Sequence, residues 1–287
     1  MLKTLILFLG LILIYSAFLT RTYYWDGVLF SLYIEKVSRG ELPHSILFHP
    51  NHLLYSGFGY LLYSLLLSLG LHFRAITLLQ CANVLASAGA AALMFTLAKR
   101  LFSLTNLAIF CSSLFAFGAT WWKFSTDADS YVLSVLLSLL AVSFVLNERR
   151  SLLFAGACHT LAMLFHQLAV FIYAPVLVAI LWENRPSSVR VRHACAYVFG
   201  TSGCVALAYR LAYSFAGRDS GHTFLGWITS FSAQSQMTHS WRQIFIQYPA
   251  SYLKLLAGGK LSLIRDYLSP LVIAALALSV LAFVAGV

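Results

Sequence analysis

The chain has 287 residues, of which 60% are hydrophobic and only 10% are charged. A soluble domain carries about 25% charged residues, so this composition excludes an ordinary soluble enzyme. The net charge of +10 lies in short gaps between apolar runs rather than in one basic stripe, which argues against a nucleic-acid partner and fits the positive-inside bias of membrane proteins.

Apolar runs that read as membrane spans recur at 4–20, 75–98, 104–121, 130–146, 152–165, 167–182, 194–214 and 268–287, with a weaker one at 249–264. Lys3 ahead of the first run resembles a signal peptide, but the run exceeds the usual ~7–15 residues and no small-x-small cleavage site follows. It reads as an uncleaved first span. The stretch 151–182 is too long for one crossing and sufficient for two short ones, with His166-Gln167 at the turn between them. With no linker and no repeat, the expected fold class is all-α, a polytopic transmembrane helical bundle forming a single domain over 1–287.

The segment 53–70 is apolar but carries Tyr55, Ser56, Gly57, Gly59, Tyr60, Tyr63 and Ser64. If it does not cross, Lys3, Lys99-Arg100, Arg149-Arg150, Arg185, Arg190 and Arg192 share the inner side. If it crosses, all but Lys3 move outside. The positive-inside rule favours the first arrangement, so 53–70 reads as an interfacial or re-entrant helix within an outer loop at 21–74. The turn 121–130, His166 and a second outer loop at 215–248 then face the same, non-cytoplasmic side. The amphipathic stretch 227–241 in that loop reads as a flap.

The five cysteines form no CxxC and lie mostly inside apolar runs, which reads as small core residues rather than a disulfide or zinc framework. No Walker, GxSxG, HExxH or Rossmann motif is present.

The candidate site residues are few. Asp26, in Tyr23-Tyr24-Trp25-Asp26-Gly27, is either an incidental carboxylate in an aromatic belt or a general base partly buried under aromatics. In His49-Pro50-Asn51-His52, Pro50 suits the start of a helix, whose N-terminus and two histidines suit an anion such as a lipid phosphate. Zinc is the weaker reading, because His49 and His52 lack a nearby third ligand. In Ser125-Thr126-Asp127-Ala128-Asp129-Ser130, one carboxylate is free to cap the next span while the other faces a site, with Lys123 on the same turn. His166 is either a satisfied structural residue or part of the same site. Arg210 reads as snorkelling to the interface.

The order of these features resembles the GT-C superfamily of polyprenyl-phosphate-sugar-dependent glycosyltransferases, nearest to the protein O-mannosyltransferase-like branch. The likeness covers about residues 1–185. It rests on Asp26 after the first span, on His49-Pro50-Asn51-His52-Leu53-Leu54-Tyr55, on Asp129-Ser130-Tyr131 opening a later span, and on Phe165-His166-Gln167. It departs in the Asn-His that follows His-Pro and in lacking a paired acidic motif after the first span; the missing pair leaves a divalent metal unsupported, and no cofactor is certain. Relatives usually run longer, which implies a minimal member or a fragment.

The resemblance implies a multi-pass enzyme of the bacterial inner membrane or the endoplasmic reticulum. It would move a sugar from a dolichyl- or undecaprenyl-phosphate carrier to a hydroxyl on a protein, lipid or glycan at the non-cytoplasmic face, with inversion. Asp26 would be the general base. His49 and His52 would bind the leaving phosphate, Asp127 or Asp129 would orient the acceptor or a basic partner such as Lys123, and His166 would line the cavity. The prenyl chain would lie between the interfacial helix and the bundle. The alternatives are a transporter or flippase of lipid-linked sugars and a non-catalytic assembly subunit.

Overall fold

The apolar runs fold as helices, and among the described residues there is no strand. The structure, a computed structural model, describes residues 2–147, 151–217 and 221–229, with 255 and 258. The elements in chain order are α1 (Leu2–Ala17), α2 (Trp25–Ser38), α3 (Tyr55–Ser68), α4 (Ala75–Phe102), α5 (Thr105–Phe117) and α6 (Ala119–Thr126). They continue with α7 (Tyr131–Leu146), α8 (Leu152–Phe165), α9 (Tyr173–Leu181), α10 (Ser187–Ala212) and α11 (Phe224–Thr229). Short 3-10 segments occur at His44–Leu47, Pro50–His52 and Gln167–Ile172. The expected spans 249–264 and 268–287, and most of the loop 215–248, lie outside the described residues.

Among the described residues, α4 and the continuous helix Ser187–Gly217 are long and apolar enough to cross a bilayer. The pair α5 and α6, bent by 61° at Gly118, makes a third if it acts as one span. The helices α1, α7, α8 and Gln167–Leu181 are apolar but shorter. A 14-residue helix such as α8 rises only about 21 Å, short of the ~30 Å hydrocarbon core. The segment 53–70 contains α3, equally short at 14 residues.

One helix escaped the sequence reading. The stretch 25–38, taken as loop because Asp26, Glu35 and Lys36 dilute its hydropathy, forms α2. Its buried residues Phe30, Ile34 and Val37 fall at helical spacing and pack with Tyr55 of α3 and Leu79 of α4. Gly59 makes the approach possible, because a Cβ there would lie 2.6 Å from Ile34 Cδ1 and 2.8 Å from Leu79 Cδ2. Glu35, buried on α2, accepts from Arg74 Nε at 2.9 Å and from the Ala75 N–H at 3.0 Å, so one helix caps the start of another.

The chain forms two compact units, Met1–Leu93 with Phe124–Gln236 and Met94–Lys123 with Met237–Val287. In the first, α7 and α8 pack together, with Ser134 Oγ donating to the Ala162 carbonyl at 2.8 Å. Gly156 of α8 faces Thr201 of α10, where a Cβ would lie 3.3 Å from Thr201 Cγ2. In the second, Phe115 packs on Trp121 at 4.3 Å between ring centroids.

The cysteines correct one expectation. Cys81, Cys195 and Cys204 are exposed and Cys111 and Cys158 half-exposed, so none belongs to the buried core. In a membrane protein an apolar run also supplies the lipid-facing surface, and lying in such a run does not imply burial.

Candidate functional site

The site begins with the joint between α2 and the acidic turn after α6. The Thr20 N–H donates to the Thr126 carbonyl at 3.1 Å, and the Tyr24 N–H donates to Asp127 Oδ2 at 3.0 Å. Asp127 Oδ1 accepts from the Ala128 N–H at 2.8 Å. From α4, Gln80 Nε2 donates to the carbonyls of Thr20 and Thr126, and Asn83 Nδ2 to those of Asp127 and Asp129. Gly27 lies directly against this turn, where a Cβ would run into the Ala128 carbonyl oxygen. These contacts fasten the first turn of α2, and therefore Asp26, to residues more than a hundred positions later.

The second joint holds the His-Pro segment. Pro50 starts only a three-residue 3-10 turn with His49 as its N-cap, and α3 begins later, at Tyr55. The Asn51 N–H donates to His49 Nδ1, the His52 N–H to the His49 carbonyl, and the Leu54 N–H to the Leu164 carbonyl. Those backbone donors are spent inside the protein, so the Pro50 turn does not present the free helix N-terminus expected from the sequence. The Pro50 carbonyl accepts from Gln167 Nε2 at 3.0 Å and from Tyr209 Oη at 2.6 Å, which ties the turn to the α8 end and to α10.

Between the two joints lies a cavity of about 360 Å³. Asp26, His49, His52 and His166 all line it, with Trp25, Tyr33, Asn51, Ser56, Ser130 and Tyr131 among the other wall residues. Asp26, Leu29, Phe30 and Tyr33 sit at i, i+3, i+4 and i+7, one face of α2. That spacing was open to sequence reading once 25–38 was taken as helix. The His49 and His52 rings stack at 4.2 Å, Phe30 meets His52 edge-on at 4.6 Å, and His166 stacks on Tyr131 at 4.2 Å.

Protonation follows from these contacts. His49 Nδ1 accepts from Asn51, and His166 Nδ1 accepts from the Leu168 N–H at 3.2 Å. Each neutral ring therefore carries its proton on Nε2. Burial pulls His49 down to about 4 and His166 to about 4. For His52, burial and then the charges of His49 and His166 lower the value to about 3. His52 Nδ1 is buried and has no hydrogen-bond partner among the described residues. The cavity thus presents neutral imidazoles beside an exposed carboxylate at Asp26, which is not covered by aromatics as anticipated.

Asp127 and Asp129 are buried, at 0% and 4% exposure, and are not among the wall residues, which Ser130 and Tyr131 supply. Asp127 serves the start of α2 rather than that of α7. Asp129 Oδ1 takes the Tyr131 N–H at 3.3 Å, so the cap of α7 falls to it. Burial, with the nearby Asp26 and Asp127 carboxylates, pushes Asp129 up to about 7 against the opposing Tyr131 N–H. Lys123 is half-buried and belongs to the second compact unit. Arg210 is exposed, with its guanidinium 5.7 Å from the Tyr213 and Phe224 ring centroids. Sequence reading missed Gln80 and Asn83. Their signal was two amide side chains one turn apart inside an otherwise apolar span.

Among the described residues no group of three or more His, Cys, Asp or Glu is arranged to hold a metal ion. A second, mainly apolar cavity of about 480 Å³ adjoins the first, with Asn51 lining both. It lies among α8, the 3-10 segment Gln167–Ile172, α10 and α11 rather than along α3. No protein-family model, curated protein or solved structure matches the chain.

Proposed function

We propose that this chain is a multi-pass membrane glycosyltransferase that uses a polyprenyl-phosphate-linked sugar. The observation that carries this reading is the 360 Å³ cavity in which one exposed carboxylate, Asp26, meets three imidazoles. A phosphate leaving group needs hydrogen-bond donors where negative charge develops, and an attacking hydroxyl needs a base nearby. The imidazoles of His49 and His166, which line the cavity, would serve the first need and Asp26 the second.

In this mechanism Asp26 removes the acceptor hydroxyl proton as its oxygen bonds to the anomeric carbon. The bond from that carbon to the carrier phosphate oxygen breaks on the opposite face, and the polyprenyl phosphate departs with the electron pair, inverting the centre. Asp129, behind the wall, orients the turn that carries Ser130 and Tyr131. The site belongs on the non-cytoplasmic face, with the Lys99-Arg100 and Arg185–Arg192 clusters inside. The common cavity for Asp26, His49 and His166 supports that topology, as does the shortness of α3.

Transfer from a radiolabelled polyprenyl-phosphate sugar, in proteoliposomes, tests the reading. Asp26→Asn is expected to abolish transfer while leaving thermal unfolding unchanged. Intact transfer by this variant would remove Asp26 from the mechanism.

A further inference from the structure

The two adjoining cavities differ in their polar groups. The first sets histidine rings beside the Asp26 carboxylate. In the second, the polar edge is a chain of hydroxyls whose directions are all determined. Thr201 Oγ1 donates to the Tyr197 carbonyl at 2.7 Å, so its 2.6 Å partner, Tyr173 Oη, must donate to it. Tyr173 Oη, its proton committed, accepts from Ser202 Oγ at 2.8 Å. Ser202 and Tyr173 therefore face the second cavity with lone pairs only. Gln167, on the same edge, has one of its two amide N–H bonds on the Pro50 carbonyl.

The rest of this cavity is mainly apolar, with Met163, Val170, Val205 and Ile228 in its wall, and the hydroxyls of Tyr209 and Thr229 there donate to the Pro50 and Leu225 carbonyls. It opens at Ser202 and Ala206, both exposed. An anion is disfavoured beside lone pairs, and a pure hydrocarbon leaves them without a partner. The matching chemistry is a neutral, largely apolar molecule that carries a hydroxyl donor. Asn51, with both a donor and an acceptor, is the shared wall through which this ligand meets whatever occupies the histidine cavity.

We infer that the 480 Å³ cavity among α8, α10 and α11 binds a hydroxylated lipid, held by its O–H on the Ser202–Tyr173 edge. Its role as the acceptor, in place of a polypeptide, rests on the transferase reading; the binding itself does not.

The test uses the full chain in detergent without any sugar donor. The probes are a long-chain alcohol with a mid-chain diazirine and the same molecule as its methyl ether, which cannot donate. Labelled peptides are mapped by mass spectrometry. Labelling of the α8 and α10 cavity segments is expected, with the alcohol preferred over the ether by about three- to ten-fold, the worth of one hydrogen bond. Ser202→Ala combined with Tyr173→Phe is expected to erase the preference, and Val205→Trp, which fills the cavity, to erase the labelling. Equal labelling by both probes would overturn the proposal, as would labelling unaffected by Val205→Trp. Competitive displacement of the alcohol by polyprenyl phosphate would do so too, assigning the cavity to the tail of the carrier. Because no transfer is measured, failure of Asp26→Asn to block transfer would leave this result standing.

Discussion

The Tyr24 N–H donates to Asp127 Oδ2 at 3.0 Å across 103 residues of sequence. Tyr24 is the N-cap of α2, so this bond sets where the helix carrying Asp26 begins. Asp127→Ala removes the acceptor for both the Tyr24 and Ala128 N–H groups. A loss of about 1–3 kcal/mol is expected, the penalty for an unsatisfied buried donor, seen as a lower melting temperature in detergent. Asp127→Asn retains one carbonyl oxygen and should lose less.

Gly27→Ala forces a Cβ against the Ala128 carbonyl oxygen. Because both partners belong to backbone, no side-chain rotation relieves the overlap, and overpacking of this kind costs about 1–3 kcal/mol. The variant is expected to melt lower, and Gly10→Ala, where nothing lies within 4 Å, to melt like the parent.

Acid should weaken the fold through three histidines. His49, His52 and His166 hold folded values of about 4, 3 and 4, below the ~6.5 of an unfolded chain. Their contribution is complete above about pH 6.5 and is lost as pH falls toward 4. His52→Gln is expected to reduce the slope of stability against pH in that window by about 1.4 kcal/mol per unit, one proton's worth. Thermal unfolding in detergent across pH 4–8 measures it, and an unchanged slope would contradict the burial of His52.

Asp129 acts in the opposite sense. Its folded value of about 7 exceeds the ~3.9 of an unfolded carboxyl. Its contribution is therefore complete below about pH 4 and lost as pH rises through about 7. Asp129→Asn should make the acid loss steeper, because this opposing proton is gone, and should remove the residual decline near neutrality. The same pH series reads both limbs.

Asn83→Leu tests the grip of α4 on the acidic turn. Its Nδ2 serves two buried carbonyls at 2.8 Å each, and losing both is expected to cost about 2–4 kcal/mol. Transfer activity should fall with it, because Ser130 and Tyr131 of the cavity wall follow directly on this turn. Full stability in the variant would show that the turn stands without α4.

Much of the architecture was legible along the chain. The apolar runs pointed to helices long enough for a membrane, and runs such as 75–98 and 130–146 became α4 and α7 with few changes at their ends. Helix α2 was not legible as a span, because Glu35 and Asp26 interrupt its hydropathy, although its 3.6-residue apolar spacing was there. The 104–121 run was read as one span, and the 61° bend between α5 and α6 at Gly118 was not foreseen. Asp26, His49, His52 and His166 were chosen by residue type and place. Their meeting in one cavity was beyond any local pattern.

What the sequence determined by itself is that apolar surface is too abundant to be buried in a soluble core, and that this surface comes in runs which the structure shows as helices, two or three of them long and apolar enough to cross a bilayer. Periodicity and charge act over a few residues, and a single chain carries them openly. What only the tertiary structure decided is which polar groups bond to one another and which line the cavity. The backbone N–H groups of the His-Pro segment are consumed by His49 and Leu164, and Asp127 is consumed by Tyr24, while the imidazoles and Asp26 are left lining the cavity. Hydrogen-bond partners are assigned by contacts between distant segments, and no local rule reaches that far.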